Sequence, residues 1–168
     1  MKTEFKSKFL QHLNQKKREG GFTLIELLVV IIIIGILAAI ALPSFLSQAA
    51  KAKQSEGKSF VGAINRGQQA YRLENPEFAP DFEKLEVGLP TKTNNYEMKM
   101  NTTGGSETTV NAEPLDKEAL KGYTGLVKVL DNGATGNVIC EAKNAGEVPG
   151  SADVNQEGVG DCGGDVKL

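Results

Sequence analysis

The chain has 168 residues, 24% of them charged, and a formal net charge of −2. This length allows one small domain plus a membrane element, and the composition excludes a disordered or collagen-like chain. The one histidine, His12, lies in the basic N-terminal stretch, so the rest of the chain cannot form a Ser-His-Asp set or a zinc site that uses histidine. Carboxylate chemistry is formally possible, but no acidic pair is spaced persuasively. We therefore expect no enzyme and no cofactor.

The near-neutral total hides two segments of opposite charge. Residues 1–21 carry six basic side chains against two acidic ones, and the remaining residues carry 13 basic against 19 acidic. A cationic end kept in the cytoplasm and an acidic part sent across the membrane follow the positive-inside rule. The predicted orientation is N-terminus inside and C-terminus outside. Nucleic-acid binding by the basic stretch is the alternative, but basic residues beside a membrane segment more often signal topology.

An apolar segment, residues 22–42, follows the basic stretch and is long enough to span a bilayer, which needs about 20 residues. Its one charge, Glu26, costs roughly 2.5 to 3.5 kcal/mol in hydrocarbon, so it needs a partner that the segment does not contain. The alternative is a secretory signal peptide cleaved after Ala39-Ile40-Ala41. Against that alternative, the apolar run is long, and the helical pattern continues beyond Pro43.

The start of the apolar segment, Gly21-Phe22-Thr23-Leu24-Ile25-Glu26, resembles the class III signal of type IV pilins and pseudopilins. The resemblance implies that a prepilin peptidase cuts between Gly21 and Phe22 and methylates the new amine of Phe22. Glycine suits the cut because a residue without a side chain lets the backbone enter a narrow protease site. In this family, the glutamate at the position of Glu26 neutralises the amine of a neighbouring subunit during assembly. The alternative is that Glu26 neutralises its own helix N-terminus, one turn away.

The helical pattern continues as an amphipathic half, residues 43–74, with apolar residues three, four, seven or eight positions apart. Asn75-Pro76 predicts the end of this helix, because the residue before proline avoids helical geometry. Gly35 and Pro43 predict a bend or local unwinding, since Pro43 cannot donate to the Ala39 carbonyl. The resemblance implies that the helix is locally melted near such residues in assembled filaments.

Residues 75–168 form the predicted globular head. A loop with one helical turn at Asp81–Leu85, similar to the αβ-loop of pilins, comes first. Four strand-like stretches follow: Tyr96–Met100, Thr108–Val110, Tyr123–Leu130 and Asn137–Ala142. Asp131-Asn132-Gly133 predicts a hairpin turn between the last two. The predicted fold class is α+β, as in type IV pilins. A long N-terminal helix, whose hydrophobic half projects, packs on a four-stranded antiparallel sheet and covers its buried face.

The chain after Cys140 is rich in glycine and acidic residues and would be flexible if it were not tied down. A disulfide between Cys140 and Cys162 would add roughly 3 kcal/mol and suits an exported protein. The resemblance places it in the disulfide-bounded loop that pilins call the D-region. The alternatives to a disulfide are two free thiols or a metal site, but two cysteines without histidine are a weak signal for zinc binding. Calcium is a further candidate, as in the corresponding loop of major pseudopilins, with the ligands Asp153, Glu157, Asp161 and Asp165.

The resemblance implies a structural subunit, which we expect to be the major pilin of a type IV pilus that serves adhesion, twitching motility or DNA uptake. Its implied partners are other copies of itself, the prepilin peptidase and methyltransferase, the assembly platform and motor ATPases. The inner membrane would hold the subunits before they join an extracellular pilus. A type II secretion pseudopilin or a minor pilin shares every N-terminal feature. A signal-anchored periplasmic binding module is the alternative from another class, but it does not explain Glu26.

Overall fold

The computed structural model describes residues 22–103 and 105–168. The chain divides into two compact units, one that ends at Phe45 and one from Leu46 to Leu168. Helix α1, Leu24–Glu74, runs through most of the described first unit and into the second. The predicted leader, residues 1–21, lies outside the described residues.

Helix α1 ends at Glu74, the position that the sequence predicts. The backbone N–H and the side-chain amide of Asn75 both donate to the Tyr71 carbonyl at 3.0 Å. Arg72 Nη1 donates to the Asn75 carbonyl, also at 3.0 Å. These bonds satisfy carbonyl groups that a helix C-terminus leaves unpaired, and Pro76 prevents the helix from continuing.

A short helix, α2, occupies Phe82–Leu85 in the loop after α1. Its N-cap is Asp81, whose carboxylate accepts from the Lys84 N–H at 2.8 Å. Such a cap is worth about 1 kcal/mol. Glu86 ends the turn in the left-handed region, with φ of 51°. The helical turn predicted at Asp81–Leu85 is therefore confirmed.

The remaining chain forms seven strands: β1 Tyr96–Thr103, β2 Glu107–Pro114, β3 Tyr123–Val129, β4 Thr135–Glu141, β5 Asp153–Val154, β6 Gly160–Asp161 and β7 Val166–Lys167. Five of them make one antiparallel sheet in the order β1-β2-β3-β4-β7, and β5 pairs with β6 in a separate hairpin. The registers of the long pairs include Met98↔Ala112, Val110↔Gly125 and Leu126↔Val138.

The predicted strand number of four is wrong, because β7 adds a fifth strand beside β4, with Cys140 opposite Lys167. A strand of two residues shows no alternating pattern that a sequence could reveal. The weak signal at Thr108–Val110 belongs to the eight-residue strand β2. The hairpin turn is confirmed, since β3 and β4 pair across it and Gly133 has the φ of +79° that favours glycine.

Helix α1 covers one face of this sheet. Val61 and Ile64 share a buried core with strand residues such as Tyr96 and Val110. The buried side-chain amides of Asn65 and Gln68 fix the position of the helix through hydrogen bonds. A shift of the helix would break these bonds, and each unpaired buried amide would cost about 1–3 kcal/mol. Asn65 donates to the Val138 carbonyl of β4 at 3.2 Å. Gln68 donates to the carbonyl of Ala79 and accepts from its N–H, both at 2.9 Å, which ties the loop before α2 to the helix.

The segment after β4 covers the opposite face of β3 and β4. Leu126, Val138 and Cys140 form a second buried cluster with Val154 and Cys162. Because successive strand residues point to opposite faces, Gly125 faces α1 while Leu126 faces this segment. The centre of the sheet is therefore covered on both sides, whereas the sequence analysis assigned a cover only to the helix side.

Replacing Gly125 with alanine should destabilise the second unit by about 1–3 kcal/mol, the usual cost of overpacking a core. A Cβ at this position would lie 2.5 Å from Val61 Cγ1 and 2.5 Å from Asn65 Oδ1. Chemical denaturation of the purified protein, followed by circular dichroism, measures the change. Gly150→Ala is the matched control, because a Cβ there meets nothing within 4 Å. Equal stabilities of the two variants would contradict this packing.

Alkaline pH should destabilise the fold through the buried tyrosine pair Tyr96 and Tyr123, whose ring centroids lie 6.1 Å apart. Burial raises the pKa of both phenols, and nearby carboxylates, Glu56 for Tyr96 and Glu141 for both, raise it further. Both phenols stay neutral in the folded state while the unfolded state ionises near its usual pKa of about 10. Their contribution to stability is therefore complete below pH of about 10 and declines as the pH rises above it.

Thermal unfolding between neutral pH and pH of about 11 tests this dependence, with tyrosinate absorbance as the second readout. Tyr123→Phe is the control, because it keeps the ring and removes one ionisable group along with a 3.3 Å bond to Glu141. The variant should lose less stability than the parent over the alkaline range. Parallel curves for the two proteins would refute the assignment to Tyr123.

Candidate functional site

The described part of the first unit presents a largely apolar surface, on which Thr23, Glu26 and Ser44 are the exposed polar side chains. Every large apolar side chain from Phe22 to Phe45 is at least 46% exposed, although such side chains normally lie in a core. Among the described residues, α1 is the one helix that is long and apolar enough to cross a membrane, and its apolar window has no buried residue. An exposed apolar surface of this size requires lipid or another protein to cover it.

The carboxylate of Glu26 forms a capping box with Thr23 at the beginning of α1. Glu26 Oε2 accepts from the Thr23 N–H and from the Thr23 hydroxyl, each at 2.8 Å. The Glu26 N–H donates back to Thr23 Oγ1 at 3.3 Å. Thr23 is not among the predicted site residues, although Thr-x-x-Glu before an apolar helix is the known signal for this motif.

Both of these bonds to the carboxylate use the same oxygen. Among the described residues, no donor lies within hydrogen-bond distance of Glu26 Oε1. The capping box and a second charge partner for Glu26 are therefore geometrically compatible, since an ionised carboxylate has about four acceptor sites. The predicted cleavage residue Gly21 lies outside the described residues, and Phe22 is the first described one.

The two residues predicted to bend the helix lie within an uninterrupted α1. The helix assignment runs through Gly35 and Pro43 without a break, so the single chain is not unwound there. A Cβ at Gly35 would meet nothing within 4 Å. Packing within one chain therefore gives no reason for glycine at this position, and melting in a filament stays a prediction.

The two cysteines form a disulfide that ties the segment after β4 to the sheet. Cys140 and Cys162 have Cα atoms 5.6 Å apart, and among the described residues no cysteine is free. Both side chains are buried in the cluster on the outer face of β3 and β4. The cross-link joins β4 to the residue that directly follows β6, at a sequence separation of 22. It holds the segment between them against the sheet and so lowers the conformational entropy that this segment loses on folding.

The four acidic candidates for calcium lie in the segment after β4, where Asp153 and Asp161 accept hydrogen bonds from other groups of the protein. Asp153 accepts from the Lys128 ammonium at 2.9 Å and from the Val154 N–H, and these bonds lower its pKa. Asp161 lies opposite Asp153 in the β5–β6 hairpin and accepts from the Cys162 N–H. In the described ranges, no three His, Cys, Asp or Glu side chains are placed to hold a metal. Calcium at Asp153, Glu157, Asp161 and Asp165 stays a prediction.

Two family matches cover most of the chain. Residues 54–163 match the family described as type IV pilin-like G and H, a region that includes the end of α1, β1–β4 and the disulfide. Residues 16–42 match the prokaryotic N-terminal methylation motif, the region that contains Thr23 and Glu26. No solved structure matches the chain.

The curated relatives are of two kinds. The type IV major pilin protein PilA of Myxococcus xanthus is 40% identical over 99 residues, which are 58% of this chain and 44% of PilA. The type II secretion system core protein G of Pseudomonas aeruginosa is 35% identical over 85 residues, 51% of this chain and 60% of that protein. The core protein G of Vibrio cholerae is 31% identical over 127 residues, 74% of this chain and 86% of that protein. The chain thus spans about half the length of the first of these relatives.

These matches agree with the architecture of a long N-terminal helix packed on an antiparallel sheet. The matched family consists of structural pilin proteins and is not a family of enzymes. Pilins polymerise into pilus-like filaments, and the methylation motif with its exposed apolar helix fits a membrane-anchored precursor. The chain belongs to the type IV pilin-like family and is related both to a type IV major pilin and to the core protein G of type II secretion.

Proposed function

We propose that this chain is a structural subunit, and specifically the major pilin, of a type IV pilus. A prepilin peptidase cuts it between Gly21 and Phe22 and methylates the Phe22 amine. The observation that carries the proposal is the exposed apolar surface of residues 22–45, which begins at the Thr23 and Glu26 capping box. The chain is not an enzyme, because its role is to supply this surface for polymerisation.

The apolar segment serves in two environments in turn. As a membrane helix it is compatible with lipid, since its backbone groups are bonded within the helix except near its ends and at the Ala39 carbonyl, to which Pro43 cannot donate. Lipid tails are about as apolar as the side chains of a neighbouring helix, so transfer from bilayer to helical bundle carries little hydrophobic penalty. Subunits can therefore wait in the inner membrane, with the N-terminus inside and residues 43–168 outside, until motor ATPases and the assembly platform add them to an extracellular pilus.

Glu26 sets the alignment of each subunit with its neighbour when the apolar helix leaves the bilayer for the filament. The cut at Gly21 creates a positive amine on Phe22, and the amine of a neighbouring subunit pairs with the Glu26 carboxylate in the filament. The approach of that amine to Oε1 leaves the bonds from Thr23 to Oε2 intact. Desolvation offsets much of the Coulomb attraction, so the pair specifies alignment more than it adds net stability.

A second candidate is a type II secretion pseudopilin, since the match to the Vibrio cholerae core protein G covers 86% of that protein. Two observations favour the pilus. The segment after β4 is closed by a disulfide, as in the D-region that the resemblance implies. The 40% identity to the major pilin PilA is also higher than the 31% to the Vibrio cholerae protein, although it covers a shorter stretch.

Electron microscopy of the source cells, with and without this chain, tests the proposal. Loss of surface pili on deletion and their return on complementation support a major pilin. Unchanged pili together with loss of a secreted protein would instead assign a pseudopilin. Mass analysis of the mature protein should show residues 1–21 removed and one methyl group on Phe22. An uncut chain, or a new N-terminus at Leu42, would contradict both filament roles.

A further inference from the structure

Between Lys51 and Arg66, the exposed charged side chains of α1 are all positive. Lys51, Lys58 and Arg66 are exposed, and their spacings of seven and eight residues place them on one helix face, which we call the cationic face. Exposed Ser55 and Ser59 lie between them on the same face. The one carboxylate within this stretch, Glu56, points elsewhere, because it bonds Asn95 just before β1.

The loop after α1 carries the opposite charge. Four carboxylates are exposed in residues 77–86, which we call the acidic loop, against the single cation Lys84: Glu77, Asp81, Glu83 and Glu86. The loop is not free to rearrange, since Gln68 holds Ala79 and Asp81 caps α2. The cationic face and the acidic loop are thus two separate, preformed surfaces of opposite charge.

Neither surface is neutralised within the described part of the chain. The salt bridges there lie on the sheet and its flanks, and none includes a residue of the cationic face or the acidic loop: Lys92–Glu97, Lys99–Glu113, Lys121–Glu141 and Lys128–Asp153. Solvated surface charges are common and are worth little one pair at a time. Several aligned charges on two rigid surfaces, by contrast, steer association and select the partner.

We infer that the cationic face of one copy docks on the acidic loop of the next copy in the filament. The inference rests on the proposed function and names a contact between the globular heads. The two surfaces are different patches of the same chain, so the contact is heterologous. A copy that docks through its cationic face keeps its acidic loop for a further copy. Contacts of this type build an open helical filament when the rotation from one copy to the next does not close a ring.

The net charge favours a second copy over nucleic acid as the occupant of the cationic face. Residues 46–168 carry 13 basic and 18 acidic side chains, a net charge of −5, which repels a polyanion as a whole. A second copy presents the matching carboxylates locally, at a short segment of its surface. The same overall charge keeps separate subunits apart until alignment brings the two surfaces together.

Cysteine cross-linking in cells that make two versions of the full chain tests the inference. One version carries Ser59→Cys in the cationic face and the other Lys84→Cys in the acidic loop, while the native cysteines stay bonded to each other. A bismaleimide should cross-link the two versions, with a yield of mixed dimer at least about fivefold above that of two controls. In one control Lys53→Cys, off the cationic face, replaces Ser59→Cys. In the other Asn132→Cys, in the β3–β4 turn, replaces Lys84→Cys. Raising salt from about 0.1 M to about 1 M should lower the yield, because the Debye length falls from about 10 Å to about 3 Å.

Charge reversal supplies the second arm. Lys58→Glu with Arg66→Glu in the first version should reduce the yield of mixed dimer, and Glu83→Lys with Glu86→Lys in the second version should restore it.

Pili without the specific cross-link, or a yield of mixed dimer that charge reversal does not change, would overturn the inference. Loss of retention of duplex DNA on reversal with an unchanged dimer yield would assign the face to nucleic acid instead. If the cross-link forms in cells that make no pili, the contact between copies stands and only the assignment to a type IV pilus is contradicted.

Discussion

Glu26→Gln should be cut at Gly21 and methylated at Phe22, yet should reduce surface pili at least about a hundredfold. Glutamine keeps an oxygen for the Thr23 N–H and hydroxyl and is a usual residue at this position of a capping box. It removes only the charge. Loss of one partner from a buried ion pair costs about 3–5 kcal/mol, which is more than a hundredfold in an equilibrium. Immunoblots of sheared surface fractions, with mass analysis of the membrane pool, measure the two effects.

Thr23→Val is the matched control for this experiment. It keeps the Glu26 carboxylate and removes the hydroxyl that donates to Oε2 at 2.8 Å. Loss of a cap costs about 1 kcal/mol, so piliation should fall by no more than about tenfold. The opposite ranking, with normal pili in Glu26→Gln and few in Thr23→Val, would mean that the carboxylate acts only within its own helix.

Removing the disulfide should destabilise the head by about 3 kcal/mol, the loop-entropy value for a cross-link of this span. In Cys140→Ala with Cys162→Ala, the segment after β4 loses the bond that fixes it to the sheet. We expect the midpoint of thermal unfolding to fall by about 10 °C for a unit of this size. Limited proteolysis should also cut first between residues 141 and 162.

Reductant provides the control for this result. Dithiothreitol should shift the parent protein towards the double variant and should leave the double variant unchanged. The alanines keep small apolar groups in the buried cluster, so most of the loss reports the cross-link rather than packing. An identical digestion pattern in the parent, the reduced parent and the variant would show that the buried cluster alone holds the segment.

The elements with local signals were predictable from the sequence. Asn75-Pro76 marks the end of α1, Asp81 begins the helical turn at α2, and the Asp131–Gly133 turn separates β3 from β4. Each signal lies within a few consecutive residues and acts through backbone geometry. The Thr23 and Glu26 capping box is equally local, and its signal lies in the pairing of Thr23 with Glu26 as a hydrogen-bond acceptor rather than in the charge of Glu26 alone.

The sequence by itself determined the N-terminal segment, because a bilayer-length apolar run with one carboxylate, after a basic leader, is information carried by neighbouring residues. Only the tertiary structure decided how the head is covered and tied. The fifth strand β7, the amide bonds of Asn65 and Gln68, and the separation of the acidic candidates all depend on residues far apart in the chain. Such contacts form because buried polar groups need partners and both faces of β3 need cover, conditions that no short stretch of sequence can specify.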